Sequence, residues 1–242
     1  MSDGLVLIHA FPVDARMWQS QLGLGVPLIA PNMPGFGGSP PAGEVMTMES
    51  GARRCIEEMD AAAINRAVVC GLSLGGYVAF ELLRQHRDRI AGLVLANTRA
   101  EEDDEPGKER RRQLAARLLE EGSAFLVADP PPLLSEGAPA ELWEEVRGKI
   151  ADQPPEVIAA ASLGMAGRPD SRADLHGIEV PTLVVTSTGD TLIPSAVSAP
   201  MAEAIPGAHL EVLEDAGHLS NLEAPEEFNR VLRVHLKRCG MK

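Results

Sequence analysis

Short apolar runs alternate with amphipathic stretches along most of the 242-residue chain. The runs are rich in valine, isoleucine and leucine, and they lack a clean alternation of apolar and polar residues. That pattern is typical of strands that are buried on both faces of a sheet. Strands are predicted at residues 4–9, 26–30, 66–71, 91–97, 181–187 and 208–214.

Helical periodicity occupies the intervals between these runs, with apolar side chains repeating every three or four residues. Because strands that alternate with helices pair in parallel through right-handed crossovers, the sequence predicts an α/β fold. The expected architecture is a doubly wound, mostly parallel sheet. Helices are predicted at residues 47–63, 74–86, 195–204 and 225–238.

One long interval, from about 98 to 168, contains no predicted strand. It carries helical patterns around LAARLLEEG and AELWEEVRGKI, with prolines between them. Because an unstructured loop of this length is uncommon, we expect a helical cap. The chain is then a single domain with its core in residues 1–97 and 169–242 and an insertion at about 98–168.

Charge and cysteine content exclude several classes of protein. The formal net charge of −13 would repel nucleic acid and anionic membrane surfaces, so neither is an expected partner. The first apolar stretch is too short for a secretion signal or a membrane span, and a cytoplasmic protein is expected. Cys55, Cys70 and Cys239 lack metal-ligand spacing, so we expect reduced, mostly buried thiols and no metal site.

The stretch VVCGLSLGGYV, at residues 68–78, carries the first chemical signal. A strand must turn sharply into a helix through Gly71-Leu72-Ser73-Leu74-Gly75, where a Cβ at 71 or 75 would clash. That turn predicts a strained, exposed Ser73 at the carboxyl edge of the sheet and the start of a helix. Such a hydroxyl is suited to be a nucleophile.

A serine nucleophile needs a base, and the base needs an orienting acid. Asp190 follows the strand at 181–187, and His218 follows the strand at 208–214. This order of serine, acid and histidine, each in a loop after a strand, predicts a catalytic triad. The backbone N–H groups of Phe11 and Leu74 are the expected oxyanion donors, and His9 is expected to hold the first loop.

Several motifs together resemble the α/β-hydrolase superfamily. Within it the chain is most similar to small bacterial 3-oxoadipate enol-lactonases and carboxylesterase-like serine hydrolases. The resemblance implies Ser73 as nucleophile, Asp190 as acid, His218 as base, Phe11 and Leu74 as oxyanion donors, and no cofactor. The motifs are HAFP at 9–12, NMPGFGGS at 32–39, GLSLGG at 71–76, VLANT at 94–98, TGDTLIP at 189–194 and AGHLSNLEAPEEF at 216–228.

The sequence departs from the family at its start. Only eight residues precede His9, so the strand pair that usually opens the fold is truncated. An exposed first strand at the edge of the sheet, and with it a homo-oligomer, is therefore an open expectation. Ala10 replaces the usual glycine beside the oxyanion loop, and Asn32 stands where many relatives have aspartate.

Other residues are assigned by context. Asp215 is a rival acid, but its position three residues before His218 favours a loop-capping carboxylate. The remaining histidines in helices and loops are expected to face solvent. Trp143, Met165 and Leu192 are candidate substrate contacts, although large apolar residues at helical spacing usually belong to the core. Those remaining histidines are His86, His176, His209 and His235.

These features predict a carboxylic ester hydrolase, an esterase or lactonase acting on a small-molecule substrate. A C–C bond hydrolase and a perhydrolase would use the same triad. A non-catalytic small-molecule receptor with the same fold remains an alternative from a different class. The acyl chain length and the ring size depend on the cap, which the residue spacing does not define.

Overall fold

A single six-stranded sheet forms the centre of the computed structural model, which describes residues 2–241. Every pair of neighbouring strands is parallel, and each predicted strand is present. The strands are β1 (Ser2–Ile8), β2 (Leu28–Ile29), β3 (Ile64–Leu72), β4 (Ile90–Ala96), β5 (Thr182–Ser187) and β6 (His209–Leu213). They lie in the order β2-β1-β3-β4-β5-β6, which confirms the doubly wound α/β fold.

Helices cover both faces of the sheet and include the four predicted from periodicity. The α-helices are α1 (Met48–Ala61), α2 (Leu74–Gln85), α3 (Glu105–Glu121), α4 (Ala124–Ala128), α5 (Ala140–Ala151), α6 (Pro155–Ala166), α7 (Ser195–Ala204), α8 (Ser220–Glu223) and α9 (Pro225–Arg238). Short 3-10 helices span Ala15–Gln21, Phe36–Gly38, Arg87–Arg89 and Arg172–Gly177. None of the helices in residues 2–241 is long and apolar enough to cross a membrane.

The strands bury alternate side chains in two separate apolar cores. Val6 and Ile8 of β1 pack on the face covered by α1, α2 and α7. Leu5 and Leu7 point the other way, toward α9 and the 3-10 helix at Ala15–Gln21. The strands read as continuous apolar runs because both of their faces are buried.

Four helices, α3 to α6, occupy the chain between β4 and β5. The most apolar of them, α6, approaches the sheet domain so closely that a Cβ on Gly164 would lie 1.8 Å from the carbonyl oxygen of Met46. A hydrogen bond of 3.1 Å from the Met46 N–H to the Ala160 carbonyl joins the same two segments. The helical segment is thus packed directly on the loop that precedes α1.

The expectation that the first strand lies at an exposed edge is wrong, because β1 lies inside the sheet between β2 and β3. One edge is instead β2, which has only two residues, and the other is β6. The prediction that both faces of each strand are buried is also wrong for β6, where Leu210 and Val212 are 41% and 40% exposed. As the last strand in the order, β6 has a neighbour on one side alone.

Burial of the thiols and histidines follows their positions on the elements. Cys55 and Cys70 are free and buried as predicted, whereas Cys239 is partly exposed. The predicted solvent exposure is wrong for His235, which is 1% exposed. Its position on α9, seven residues after Phe228, aligns it with the buried face of that helix, and burial lowers its pKa to about 4.

Candidate active site

The turn between β3 and α2 is packed as tightly as the sequence predicted. A Cβ on Gly71 would lie 2.1 Å from the carbonyl oxygen of Gly75, and one on Gly75 would lie 2.2 Å from that of Ile8. At Gly76 the nearest atom would be the Thr98 hydroxyl oxygen, at 2.4 Å. Glycine is therefore required at these positions for α2 to begin directly against the sheet.

Ser73 lies at the apex of this turn in the predicted strained conformation, with φ 56° and ψ −114°. The predicted exposure is wrong, because the packed turn leaves Ser73 only 8% exposed. Its backbone is fixed on both sides. The Ser73 N–H donates to the Ala96 carbonyl at 2.9 Å, and the Ser73 carbonyl accepts from the Thr98 hydroxyl at 2.8 Å. The side chain makes no capping hydrogen bond to α2, so the hydroxyl is not engaged by its own helix.

Asp190 and His218, from the loops after β5 and β6, form a buried pair. Nδ1 of His218 lies 2.9 Å from Oδ2 of Asp190, and neither side chain is exposed. Oδ1 of Asp190 accepts the N–H groups of Leu192 and Ile193 at 2.9 and 2.8 Å. Burial alone would raise the pKa of the Asp190 carboxyl, but the hydrogen bonds, led by that of His218, hold it below its usual value.

Nε2 of His218 is buried and makes no hydrogen bond within the described residues. The ring is therefore held at one nitrogen and free at the other, which is the arrangement that a general base requires. The Ser73 hydroxyl is not hydrogen-bonded to Nε2 in this structure. In ligand-free sites this bond is often long and tightens only when substrate binds.

Asn97 connects the acid to the rest of the site and was not singled out from the sequence. Its side-chain amide donates to Oδ2 of Asp190 at 2.9 Å and to the Ser187 hydroxyl at 2.8 Å. Its carbonyl oxygen accepts from the hydroxyl of Ser220, two residues after His218. Asn97 follows β4 directly, as Ser73 follows β3, and that position was the available signal.

His9 holds the loop after β1 by two hydrogen bonds. Nδ1 lies 2.9 Å from the Ala10 carbonyl oxygen, and Nε2 accepts the Met33 N–H at 2.9 Å. The ring is fully buried, which lowers its pKa to about 4, although the Ala10 carbonyl opposes that shift. His9 thus remains neutral and structural at ordinary pH.

This loop presents Phe11 to the site. No carbonyl within the described residues accepts the Phe11 N–H, and the N–H of Leu74 opens α2, where a helix offers it no acceptor. Both donors remain available for a ligand.

A cavity of about 360 Å³ opens over Ser73. Phe11, Met165, Leu192 and Ile193 line it, so two of the three predicted substrate contacts reach it. Trp143 does not, because it lies in a separate depression with Arg147 and the prolines at 130 and 132.

A larger depression of about 780 Å³, lined by Ser135, Asp215 and Glu223, does not contain Ser73. Asp215 is exposed and makes no hydrogen bond with His218, whose partner is Asp190.

One wall of the cavity is strongly polar. Asp103, 4% exposed, binds the guanidinium groups of Arg99, Arg111 and Arg168. Burial acts to raise the pKa of this carboxyl, but hydrogen bonds from Arg168 and Arg111 hold it well below its usual range. Arg168 also stacks over the ring of Tyr77, 4.2 Å from the ring centroid. The carboxylate is therefore ionised and fully engaged.

Comparisons with known proteins agree with this architecture. A family model described as the alpha/beta hydrolase family matches residues 5–231. The chain is 28% identical over 240 residues to a pimeloyl-(acyl-carrier protein) methyl ester esterase of Aromatoleum aromaticum, covering 92% of this chain and 94% of that protein. It is 28% identical over 244 residues to 3-oxoadipate enol-lactonase 2 of Acinetobacter baylyi, covering 97% and 88%.

Among solved structures, a thermophilic esterase from Thermogutta terrifontis with malate bound superimposes with a TM-score of 0.93. It is 38% identical, and the match covers 99% of this chain and 92% of that chain. The resemblance drawn from the motifs is confirmed by these matches.

Proposed function

Because the chain belongs to the alpha/beta hydrolase family, we propose that it is a serine hydrolase that cleaves a carboxylic ester or lactone through an acyl-enzyme. One observation carries the proposal. A buried imidazole, His218, is oriented by Asp190 at 2.9 Å and keeps its second nitrogen free, at the edge of the sheet where the strained turn places Ser73 in the wall of the cavity. That combination provides a nucleophile, a base and an orienting acid.

In the first half-reaction, Oγ of Ser73 attacks the ester carbonyl carbon while Nε2 of His218 takes the hydroxyl proton. Asp190 stabilises the resulting imidazolium through the bond to Nδ1. The carbonyl oxygen becomes an oxyanion that the N–H groups of Phe11 and Leu74 bind, supported by the positive end of α2. Collapse of this intermediate breaks the bond to the alcohol oxygen, which leaves with the proton from His218.

In the second half-reaction, a water molecule replaces the alcohol. His218 removes one proton from the water as its oxygen attacks the acyl carbon, and the same two N–H groups stabilise the second oxyanion. The bond to Oγ then breaks, Ser73 recovers its proton from His218, and the carboxylic acid is released. A lactone follows the same path, except that its alcohol remains attached to the acid.

The helical segment between β4 and β5 acts in this proposal as a cap over the nucleophile. Gly107, Leu114 and Met165 line the cavity from that segment, while Phe11 and Ile193 line it from the sheet domain. Known relatives support the ester chemistry: one is an esterase for a methyl ester and another is an enol-lactonase. Substrate selection would then reside mainly in the cap.

Hydrolysis of p-nitrophenyl butyrate tests the proposal. The wild-type protein is expected to turn it over, and Ser73→Ala is expected to lower kcat by about 10⁴-fold or more, because the nucleophile acts as a unit with its base. Ser20→Ala, which changes an exposed serine far from the turn in sequence, serves as the control. A folded wild-type protein that binds esters without hydrolysing them would contradict the proposal and favour a receptor.

A further inference from the structure

The cavity over Ser73 carries more positive charge than a neutral ester needs. Three arginines line it, Arg99, Arg110 and Arg111, against a single carboxylate, Asp103. That carboxylate is already shared by Arg99, Arg111 and Arg168. In a chain whose formal net charge is −13, this cavity is a local concentration of positive charge.

Arg110 is the least satisfied of these cations. It forms no salt bridge and no side-chain hydrogen bond within residues 2–241, and it is exposed to the cavity mouth. The sequence explains why. The positions three and four residues away on α3, where a helix places its side-chain partners, are Pro106, Gly107, Gln113 and Leu114, none of which is acidic.

The neighbouring acids on α3 are occupied by other cations. Glu105 binds Nζ of Lys108 at 3.1 Å, and Glu109 binds Arg112 at 3.2 Å. Lys108 also binds Glu102, at 2.8 Å. These three acids are thus paired with other cations, whereas Arg110 lines the cavity without a salt-bridge partner in residues 2–241.

Apart from the three arginines, Asp103, Ser73 and Tyr77, the residues that line the cavity have no polar side chain. Phe11, Leu114, Leu133 and Met165 line it, and Gly107 contributes no side chain next to Arg110. In a substrate whose reacting carbonyl lies at Ser73, an apolar stem would therefore contact these residues. Its far end would lie at the guanidinium groups.

We propose that the enzyme is specific for esters or lactones that carry a second, ionised carboxylate, separated from the reacting carbonyl by an apolar stem and bound by Arg110. This inference rests on the proposed function. A guanidinium binds a carboxylate through charge-assisted hydrogen bonds, and its partly exposed position keeps the cost of desolvating the anion small. Arg99 and Arg111 add positive electrostatic potential, although the ion pairs with Asp103 neutralise part of their charge.

Matched esters test this specificity. Monomethyl adipate, methyl hexanoate and methyl 6-aminohexanoate share the reacting methyl ester and a similar stem, and they end in an anion, a methyl group and a cation. The pair 4-acetoxybutanoate and butyl acetate moves the charge to the alcohol side. The wild-type kcat/KM for the anionic ester is expected to exceed that of its neutral match by about tenfold or more in at least one pair. One hydrogen bond between charged groups contributes enough binding free energy for a difference of this size.

The variant Arg110→Gln is expected to reduce that anionic-to-neutral ratio by about tenfold, mainly through KM, and Arg110→Lys should restore part of it. Arg112→Gln, on the outer face of the same helix, is the matched control and should leave the ratio unchanged. Salt should weaken the anionic preference in the wild type, since partly exposed charges are screened.

An equal kcat/KM for the charged and neutral esters, or an unchanged ratio in Arg110→Gln, would overturn the proposal. So would hydrolysis restricted to an ester attached to an acidic carrier protein. If the wild type hydrolyses p-nitrophenyl butyrate but none of these esters, the specificity is overturned and the proposed function stands. If it hydrolyses neither, the proposed function fails, and calorimetric titration with adipate separates the two claims. Binding that Arg110→Gln abolishes would support the anion site, and the absence of binding to the wild type would overturn it.

Discussion

Gly75→Ala is expected to damage the enzyme although alanine is the better helix former. Gly75 is the second residue of α2, and a Cβ there would lie 2.2 Å from the Ile8 carbonyl oxygen and 2.8 Å from the Ile8 carbonyl carbon. Ordinary contacts begin at about 3.4 Å, so α2 and β1 would have to separate by about 1.2 Å. Both atoms belong to the backbone of an interior strand, which cannot turn aside as a side chain can.

The separation acts on two parts of the proposed site at once. Ile8 is followed by the loop that carries Phe11, and Gly75 follows Leu74, so the two oxyanion donors would move apart. Overpacking of this kind costs about 1–3 kcal/mol of stability. A displacement of about 1 Å in catalytic groups lowers the rate by about 100-fold, so the loss of kcat should exceed what unfolding explains.

Urea unfolding and the kcat for p-nitrophenyl butyrate measure the two effects separately. Gly148→Ala is the matched control, because Gly148 lies in α5 with no atom within 4 Å of an added Cβ. That substitution should stabilise the protein by up to about 1 kcal/mol and leave kcat unchanged. A Gly75→Ala variant with wild-type stability and a kcat within about twofold of the wild type would show that close packing of α2 on Ile8 does not position the oxyanion donors.

Substitutions at His9 and Asn97 test two other parts of the structure. Folded His9 has a pKa of about 4 against 6.5 when unfolded, so the unfolded state binds the extra proton between these values. The contribution of His9 to stability is therefore complete above pH 6.5 and falls by about 3 kcal/mol by pH 4, at 1.36 kcal/mol per pH unit. Buried His235 contributes over the same pH range, so His9→Gln should reduce the slope in urea unfolding without abolishing it. An unchanged slope would contradict the assignment. Asn97→Ala removes the 2.9 Å hydrogen bond to Asp190 and should lower kcat about tenfold with little change in KM, and a loss confined to KM would argue against a positioning role.

The sequence was sufficient for the sheet and for the locations of the proposed triad. Buried parallel strands are apolar on both faces, so the chain shows them as uninterrupted runs. Ser73 and Asp190 each follow such a run, whereas His218 follows β6, which is partly exposed and contains Glu211. Parallel strands bring their carboxyl ends to one edge of the sheet. That topology needs no knowledge of individual contacts, and it also makes Asn97, after β4, a residue that could have been considered.

Features that depend on which elements become neighbours could not be predicted. The exposure of Leu210 and Val212 follows from β6 being the last strand, which the order of strands along the chain does not reveal. Trp143 belongs to the helical segment, yet the packing of α5 directs it away from the cavity over Ser73. Spacing alone predicts amphipathic helices but not which part of the core each covers.

The charge distribution in the cavity could not be predicted from the sequence either, because it also depends on which elements become neighbours. The stretch at residues 101–112 reads as a solvated surface because acidic and basic residues are mixed in it. The structure turns most of these charges outward in local pairs and directs Asp103, Arg110 and Arg111 toward the cavity. Asp103 meets Arg168, 65 residues away, and such long-range pairing leaves no signal in local spacing.

The proposed mechanism requires Ser73 to be a nucleophile that His218 activates. Its most direct test is labelling with a fluorophosphonate probe followed by peptide mapping. The adduct is expected on the peptide that contains Ser73 and on no other serine, and it should be lost in Ser73→Ala and strongly slowed in folded His218→Ala. A folded wild-type protein that remains unlabelled, or that is labelled at another serine, would contradict the assignment of Ser73 as the nucleophile.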